Sequence, residues 1–244
     1  MSSKRSFRIN SWKDKDVEYH WDSAADIYVK ENERVKDTHA QRFRETIPLL
    51  RLKEGSRILN ITSRDCEAND FILKANPHVS IENAEISQGL INVAARLRPE
   101  AKQTKISSYS ELPYEDSCFD RILSLETLEH VSEPINFLKE LYRVSTPEAL
   151  LVLSCPPLTS EIPYQIYTCL FGGHGEGPHR FLPSPEVKEM FKETGWKLIY
   201  HKGTVLLPVG PKILREWSEK LIIKFQDTWL SELGIRQIYV CEKN

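Results

Sequence analysis

The sequence predicts an α/β protein built on a doubly wound, mostly parallel sheet with helices on both faces. Two short apolar runs, residues 119–125 and 150–153, lack the alternation of a half-exposed strand and are typical of parallel strands covered on both faces. Between them apolar residues recur at helical spacing after Pro134, a residue favoured in the first turn of a helix. Similar strand and helix alternations recur along the chain, which favours a series of βαβ units.

The loop after the first of these strands carries residues capable of acid–base chemistry. Residues 126–133 leave the carboxyl end of a central strand, and open α/β sheets bind ligands at that edge. Glu126 and His130 are the best candidates for general-base work or for orienting a substrate. A histidine four positions after a glutamate can instead bond to it across one helical turn, so a structural role stays open.

The composition is that of an ordinary soluble globular protein. The chain has 244 residues, of which 40% are hydrophobic and 28% charged, enough for one sizeable core. Its 33 basic and 35 acidic side chains give a formal net charge of -2, so nucleic acid is not a favoured partner. No run approaches the length of a membrane span, and the five scattered cysteines include no C-x-x-C pair. We therefore expect a reduced, cytoplasmic protein without a transmembrane segment or a metal site.

The stretch from Leu112 to Pro157 resembles a known family. It reads L-P-Y-E-D-S-C-F-D, then a strand, L-E-T-L-E-H-V, a helix, and a strand that closes at a Pro-Pro pair. This combination is similar to that of the small class I S-adenosylmethionine-dependent methyltransferases, the type 11 group, and the resemblance extends roughly over residues 45–200. It implies a Rossmann-like sheet of about seven strands with an antiparallel last strand. It also implies S-adenosyl-L-methionine as cofactor and a small acceptor such as a sugar or glycan precursor.

The resemblance also suggests how a single domain is organised. We expect a helical lid, a core, a helical insertion and the last strand, over residues 1–50, 51–203, 204–233 and 234–244. Residues 1 to about 16 are polar and are expected to be loosely ordered. The following aromatic-rich helix either packs on the sheet or is similar to the family's lid, where W-D-x-x-A-x-x-Y lies over the cofactor. In the second case Tyr28 touches the methionine end.

The first sheet strand ends where the family binds its cofactor. There the family has an acid and then a G-x-G-x-G turn, because the backbone must approach the cofactor without a Cβ in the way. Here Asn60 replaces the acid, and Thr62, Arg64 and Cys66 occupy the glycine positions. Since each such residue at positive φ costs about 1 kcal/mol or more, either the turn has another shape that admits the cofactor or the pocket has lost it. Arg64 could pair with the cofactor's carboxylate, project into the site, or point to solvent.

Further cofactor contacts are implied after the next three strands. Glu85 ends the second strand, where a carboxylate can accept both ribose hydroxyl protons, and Glu82 is the competing assignment. Ser108 and Tyr109 follow the third strand at the adenine position, where many relatives carry an aspartate in place of Ser108. Ser124 lies at the end of the fourth strand and completes the expected cofactor contacts.

A glycine-rich segment has the residues of an anion site. Four of the ten glycines lie in residues 172–177, beside His174, His179 and Arg180. Its N–H groups and charges could cradle a phosphate or carboxylate, or the loop could be flexible with His179 and Arg180 packed under the sheet rim. The resemblance favours acceptor binding, because the family's corresponding segment borders the acceptor site.

The insertion contains an amphipathic helix. Its apolar face carries Ile213, Leu214, Trp217, Leu221 and Phe225. Packing of this face on its own domain is the default expectation. A cap on the acceptor pocket, a dimer contact, or peripheral membrane contact through residues 211–230 are the alternatives.

Three functions are compatible with these features. The first, which we favour because the motif around Glu126 and His130 is well preserved, is an S-adenosylmethionine-dependent methyltransferase. The second is a catalytically inactive, methyltransferase-like binding or regulatory protein. The third is the same fold binding a nucleotide sugar, with Arg64 and Arg180 reading its phosphates.

Overall fold

The computed structural model describes residues 12–34, 36–162, 177–205, 211–226 and 228–243. Its α-helices are α1 (Asp14–Arg34), α2 (Lys36–Thr46), α3 (Glu67–Ala75), α4 (Gln88–Leu97), α5 (Pro134–Val144), α6 (Ser184–Glu193) and α7 (Lys212–Lys224). Its strands are β1 (Arg57–Ile61), β2 (Ser80–Glu85), β3 (Gln103–Lys105), β4 (Phe119–Leu125), β5 (Ser145–Cys155), β6 (Trp196–Thr204) and β7 (Arg236–Lys243). Short 3₁₀ helices follow α2, β5 and α7, at Ile47–Leu50, Leu158–Ser160 and Trp229–Leu233.

The strands form one seven-stranded sheet in the order β3-β2-β1-β4-β5-β7-β6. Strands β1 to β5 pair in parallel, whereas β7 runs antiparallel between β5 and β6. The chain order reverses between β1 and β4, so their carboxyl ends flank the crevice where doubly wound sheets bind ligands. This topology confirms the predicted Rossmann-like sheet with an antiparallel last strand.

Local sequence accounts for the elements that border this crevice. Strand β4 has the bounds of its apolar run, and α5 begins at Pro134, whose missing N–H costs nothing in a first helical turn. Helix α4 begins after Ser87, whose hydroxyl accepts a hydrogen bond of 3.1 Å from the Leu90 N–H as an N-cap. The loops after β2 and β4 are thus placed at the same edge of the sheet.

Alternating strand residues belong to two separate hydrophobic clusters, as expected for a sheet covered on both faces. Ile122 of β4 packs in one cluster with side chains of α5 and α6, whereas its neighbour Leu123 packs in the other with side chains of α2 and α3. In β5 the same alternation separates Leu151 from Val152. Helix α1 contributes to the first cluster through buried residues that include Trp21 and Tyr28.

Two expectations about the chain's flanking segments are corrected. The expectation of loose order up to about residue 16 is wrong for its last residues, because α1 starts at Asp14 and its first turn is tied to the sheet edge by side-chain hydrogen bonds, whereas residues 1–11 lie outside the described ranges. In the insertion, the face that was expected to pack on its own domain is turned outward at Ile213, Leu214 and Trp217, which are 79%, 53% and 63% exposed. Helix α7 instead buries Ser218 and Ile222.

Within the described ranges, no helix combines the length and the apolar character needed to cross a membrane.

Candidate functional site

The turn after β1 has the backbone of a glycine-rich turn without its glycines. Thr62, Arg64 and Cys66 have φ values of 58°, 53° and 61°, all in the left-handed region. The turn is anchored by the Ser63 N–H, which donates to the Ala84 carbonyl at 3.1 Å. The expectation that the turn could take another shape is therefore wrong, because the left-handed backbone of a glycine-rich turn is retained and three side chains are added to it.

The Arg64 side chain projects into the crevice and not into solvent. It is 7% exposed, and its guanidinium carbon lies 3.6 Å from the centre of the Trp21 ring of α1, a cation–π distance. Its Nη1 has no hydrogen-bond partner among the residues described. Beside it the turn encloses a cavity of only about 20 Å³, room for roughly one water molecule.

Glu85 is engaged by the same turn. Its buried carboxylate accepts hydrogen bonds from three backbone N–H groups, those of Arg64 at 2.8 Å, Ile86 at 2.8 Å and Ser87 at 3.0 Å. The competing acid, Glu82, accepts a hydrogen bond of 2.6 Å from the Thr104 hydroxyl. Glu85 is therefore the acid that lies beside the turn.

Helix α1 closes the crevice through two carboxylates. Asp14 accepts hydrogen bonds from the Ser108 hydroxyl at 3.0 Å, the Tyr109 N–H at 2.9 Å and the Ser132 hydroxyl at 2.7 Å. Further along α1, the Asp22 carboxylate accepts 2.7 Å and 2.9 Å bonds from the Ser87 hydroxyl and the Gly89 N–H. A Cβ on Gly89 would come within 2.8 Å of Ala25, so α1 and α4 pack in close contact.

The other predicted cofactor residues are buried in the same region. The Tyr28 hydroxyl accepts a weak hydrogen bond of 3.4 Å from Arg42, and its ring meets Trp21 edge-on with centroids 6.0 Å apart. Asn60 donates to the Asn83 side chain at 2.9 Å. Ser124 is fully buried in β4, and its hydroxyl has no hydrogen-bond partner in the described part of the chain.

In this arrangement the residues do not fit S-adenosylmethionine. Arg64 and Trp21 fill the space beside the turn, and Asp14 engages the residues predicted to contact adenine. A cavity of about 20 Å³ is far below the 300–1,000 Å³ of a typical ligand site. The cofactor therefore requires α1 and the Arg64 side chain to leave the positions described.

Glu126 lies at the rim of the crevice in a strained conformation. It has a φ of 52°, a value that a non-glycine residue rarely adopts. Its Oε1 accepts hydrogen bonds from the Ser154 hydroxyl at 2.6 Å and from Arg236 Nε at 2.9 Å. Neighbouring strands β5 and β7 thus hold this carboxylate in place.

His130 is buried under α1, and it is not the helical-turn partner of Glu126. Its Nδ1 lies 3.0 Å from the Pro178 carbonyl oxygen, and its ring meets the Trp21 ring edge-on at a centroid distance of 5.7 Å. Burial, and secondarily the charge of Arg64, lowers the pKa of His130 to about 3. The imidazole is therefore neutral at physiological pH, and the carbonyl at Nδ1 favours a proton on that nitrogen.

Two of the three predicted acceptor residues lie next to the Glu126–His130 loop. The Arg180 N–H donates to the Glu129 carbonyl at 2.9 Å, and the Arg180 guanidinium donates to the Val131 carbonyl at 2.6 Å. Burial lowers the pKa of Arg180 to about 10, so the side chain keeps its charge at neutral pH. His179 contacts the Gly177 carbonyl at 2.8 Å. His174 lies outside the described residues.

The residues missed by sequence reasoning come from distant parts of the chain. Arg236 is 110 positions from Glu126, and Asp14 is 94 positions from Ser108. Asp14 carried one weak signal, since acids are favoured in a helix's first turn. No local pattern points to Arg236.

Comparison with known proteins bears on this arrangement. Residues 71–153 match the model of a methyltransferase domain family, so the match begins after the altered turn. An uncharacterized methyltransferase of Mycolicibacterium vanbaalenii is 32% identical over 131 residues, 53% of this chain and 48% of that protein. The chain spans about half or less of the length of the curated relatives it matches.

Solved structures share the fold at low sequence identity. An S-adenosylmethionine-dependent methyltransferase from Thermotoga maritima has a TM-score of 0.63 at 16% identity, over 93% of this chain and 99% of that one. The [4+2]-cyclase SpnF has a TM-score of 0.59 at 16% identity, over 83% of this chain and 80% of that one. Residues 71–153, which contain the β4–α5–β5 motif, are thus similar to a methyltransferase domain, and the low-identity solved structures show that the chain shares the fold of such proteins.

Proposed function

We propose that this protein transfers a methyl group from S-adenosylmethionine to a small acceptor, a sugar or glycan precursor. The observation that carries the proposal is the backbone after β1, which has the conformation of a cofactor turn and lies beside the buried acid Glu85. The family match over residues 71–153 supports it independently. In this proposal the described arrangement is a closed state, and α1 moves with Arg64 before the cofactor enters.

Glu126 and His130 are the proposed catalytic residues. Glu126 is held by Ser154 and Arg236 at the edge of the crevice, where its carboxylate can orient or deprotonate an acceptor hydroxyl. His130 is neutral, and a proton on Nδ1 makes Nε2, which lies 4.0 Å from Glu129 Oε1, the acceptor nitrogen of the ring. Because burial, and secondarily the charge of Arg64, lowers its pKa, His130 is a weak base, and we assign it mainly an orienting role in the closed state.

The acceptor is proposed to carry a phosphate or carboxylate. Arg180 and His179 lie beside the catalytic loop, and His174 belongs to the same glycine-rich stretch of sequence. In the described arrangement the Arg180 guanidinium donates to the Val131 carbonyl, so an anionic acceptor would have to displace that hydrogen bond in order to pair with the charge. We also propose a cytoplasmic location, on the strength of the scattered cysteines, and cell fractionation tests it directly.

Isothermal titration calorimetry with S-adenosylmethionine tests the proposal. We expect binding by the wild-type chain, and we expect Glu126→Gln to lower methyl transfer by about tenfold or more while leaving the cofactor Kd unchanged, because the carboxylate acts on the acceptor. Glu115→Gln, on an exposed turn, serves as the control. If saturating cofactor gives neither heat nor a thermal shift, the proposal fails.

A second candidate function is favoured by the Arg64 contact itself. An arginine stacked on Trp21 inside the cofactor crevice is what a fold that has lost its cofactor would contain. We propose, as the alternative, a binding or regulatory protein without methyl-transfer activity. The [4+2]-cyclase SpnF shares the fold, so the fold alone does not define a reaction.

The nucleotide-sugar alternative has less support. Arg64 lies under Trp21 and Arg180 donates to the Val131 carbonyl, so neither guanidinium is presented to a diphosphate in the closed arrangement. A thermal-shift screen of nucleotide sugars that found no stabilisation would remove this alternative.

A further inference from the structure

Helix α1 lies between two groups of loops. The first group, here called the cofactor side, consists of the turn and loops that follow β1, β2 and β3. The second, here called the acceptor side, consists of residues 126–133 after β4 and residues 177–180. Two residues of α1, Asp14 and Trp21, contact both sides at once, so single side chains join the two sides.

The Asp14 carboxylate divides its two oxygens between the sides. Its Oδ2 accepts hydrogen bonds from the Ser108 hydroxyl at 3.0 Å and the Tyr109 N–H at 2.9 Å, both on the cofactor side. Its Oδ1 accepts a hydrogen bond of 2.7 Å from the Ser132 hydroxyl on the acceptor side. Because a carboxylate is a rigid planar group, a movement that takes one oxygen away from its partners also moves the other.

The buried Trp21 ring is shared in the same way. Its face lies against the Arg64 guanidinium of the cofactor-side turn, with the guanidinium carbon 3.6 Å from the ring centre. On the acceptor side it meets the His130 ring at an interplanar angle of 88°, with ring centroids 5.7 Å apart. Displacement of this ring therefore uncovers Arg64 and His130 together.

Further contacts tie α1 and the residues just before it to the acceptor side. The Trp12 indole N–H donates to the His130 carbonyl at 2.9 Å, and the Arg180 guanidinium carbon lies 5.6 Å from the centre of the Trp12 ring. Gly177 approaches the His20 ring so closely that a Cβ on this glycine would lie 2.4 Å from it. The segment proposed to bind the acceptor thus also packs on α1.

From these contacts we propose that α1 is an autoinhibitory latch that opens as one unit and releases the cofactor side and the acceptor side together. The identity of the two ligands rests on the proposed function. A ligand that binds only the open state on one side raises the population that is open on the other. Cofactor and acceptor therefore bind with positive cooperativity, and by linkage each strengthens the other by the same factor.

Hydrogen exchange followed by NMR tests the latch without any ligand. Trp12→Ala removes contacts on the acceptor side only. We expect the α1 amides of residues 22–28 to exchange about fivefold faster, by the same factor as those of residues 17–21, because all of them depend on one opening step. Asp26→Asn, at a side chain that is 91% exposed, is the control and should change neither group. Faster exchange confined to residues 17–21 would overturn the proposal.

A second variant tests the coupling from the opposite side. Asp22 accepts hydrogen bonds from the Ser87 hydroxyl and the Gly89 N–H on the cofactor side, and Asp22→Ala removes both. We expect the indole N–H of Trp12, which is bonded on the acceptor side, to exchange about fivefold faster in this variant. An unchanged exchange rate of that indole proton would contradict a single opening unit.

Calorimetry with S-adenosylmethionine separates the latch from the proposed function. Trp12→Ala is expected to bind the cofactor about fivefold more tightly than the wild-type chain, because a larger fraction of the variant is open before binding. Equal affinity of the two chains would overturn the latch. If neither chain binds the cofactor although the exchange rates change as expected, the proposed methyl transfer fails and the latch stands.

Discussion

Arg64 combines a strained backbone with a side chain that fills the crevice. Its backbone occupies a conformation suited to glycine, while its side chain stacks on Trp21 in the crevice that the family uses for its cofactor. A non-glycine residue at positive φ costs about 1 kcal/mol or more, and the stacking contact with Trp21 offsets part of that cost. The same residue therefore carries the strained backbone and the side chain that fills the crevice.

Two substitutions of Arg64 distinguish the effect of its backbone strain from the effect of the space that its side chain fills. Arg64→Gly and Arg64→Ala both remove the side chain and are expected to increase affinity for S-adenosylmethionine, as measured by calorimetry. Only Arg64→Gly also relieves the left-handed strain, so it should be more stable than Arg64→Ala by about 1 kcal/mol in urea unfolding.

A control variant and the pattern of cofactor binding among the turn variants distinguish methyl transfer from the non-catalytic alternative. Arg96→Ala removes an exposed arginine of α4 and should change neither quantity. Binding that appears only with Arg64→Gly, or only when Thr62 and Cys66 are also glycine, supports the non-catalytic alternative. If no variant binds the cofactor, the side chains of the turn are not what excludes it.

At the scale of elements, α1 covers the crevice, and we propose that it acts as a lid. Asp14→Asn replaces a carboxylate that accepts three hydrogen bonds with an amide that accepts less well. We expect hydrogen exchange of the α1 amides to become faster, by an opening free energy about 1–3 kcal/mol smaller. Asp26→Asn is the matched control on the same helix, and unchanged exchange in Asp14→Asn would mean that this carboxylate does not hold the lid.

Helix α7 exposes an apolar surface, and we propose that this surface contacts membranes peripherally. Leu214 and Trp217 are exposed, and Arg215, Lys220 and Lys224 lie on the same helix. Apolar and basic side chains together favour a surface of anionic lipid. Changing both Leu214 and Trp217 to serine should lower co-sedimentation with phosphatidylglycerol vesicles by about tenfold.

The control for this surface is an exposed aromatic elsewhere. Tyr19→Ser removes a side chain that is 79% exposed on α1 and should leave vesicle binding unaffected. Equal sedimentation of the wild type with neutral and anionic vesicles, or none with either, would contradict membrane contact.

At the scale of the whole molecule, buried histidines contribute to the acid sensitivity of the fold. Burial lowers the pKa of His130 to about 3 and that of His201 to about 4, whereas unfolded histidine titrates near 6.5. As pH falls below about 6.5 the unfolded chain binds protons that the folded chain does not, so stability is lost through the window down to about pH 4. The loss is at most about 1.4 kcal/mol per pH unit for His130.

Urea unfolding between pH 4 and pH 8 checks this dependence. Stability should be flat above about pH 7 and should fall on acidification, and His130→Asn should reduce the slope. His78→Asn, at an exposed position, is the control. A slope that is unchanged in His130→Asn would contradict the assignment to this histidine.

Much of the fold was predictable because its signals are local. The apolar run of β4 and the helical spacing after Pro134 depend on neighbouring residues, and the structure has each where the sequence predicts it. The candidate site was predictable only in part. The positions 62, 64 and 66 were identified as glycine replacements, and their left-handed φ values agree with that alignment.

The sequence by itself determined a parallel α/β sheet, the strand ends that form the crevice, and the residues that replace its glycines. Tertiary structure alone decided that Arg64 lies under Trp21, that Asp14 engages Ser108, and that Arg236 holds Glu126. The reason is physical: periodicity and capping act over a few residues, whereas a flexible side chain takes its direction from partners brought close by the whole fold. These long-range contacts, and not the motif, close the crevice in the structure described.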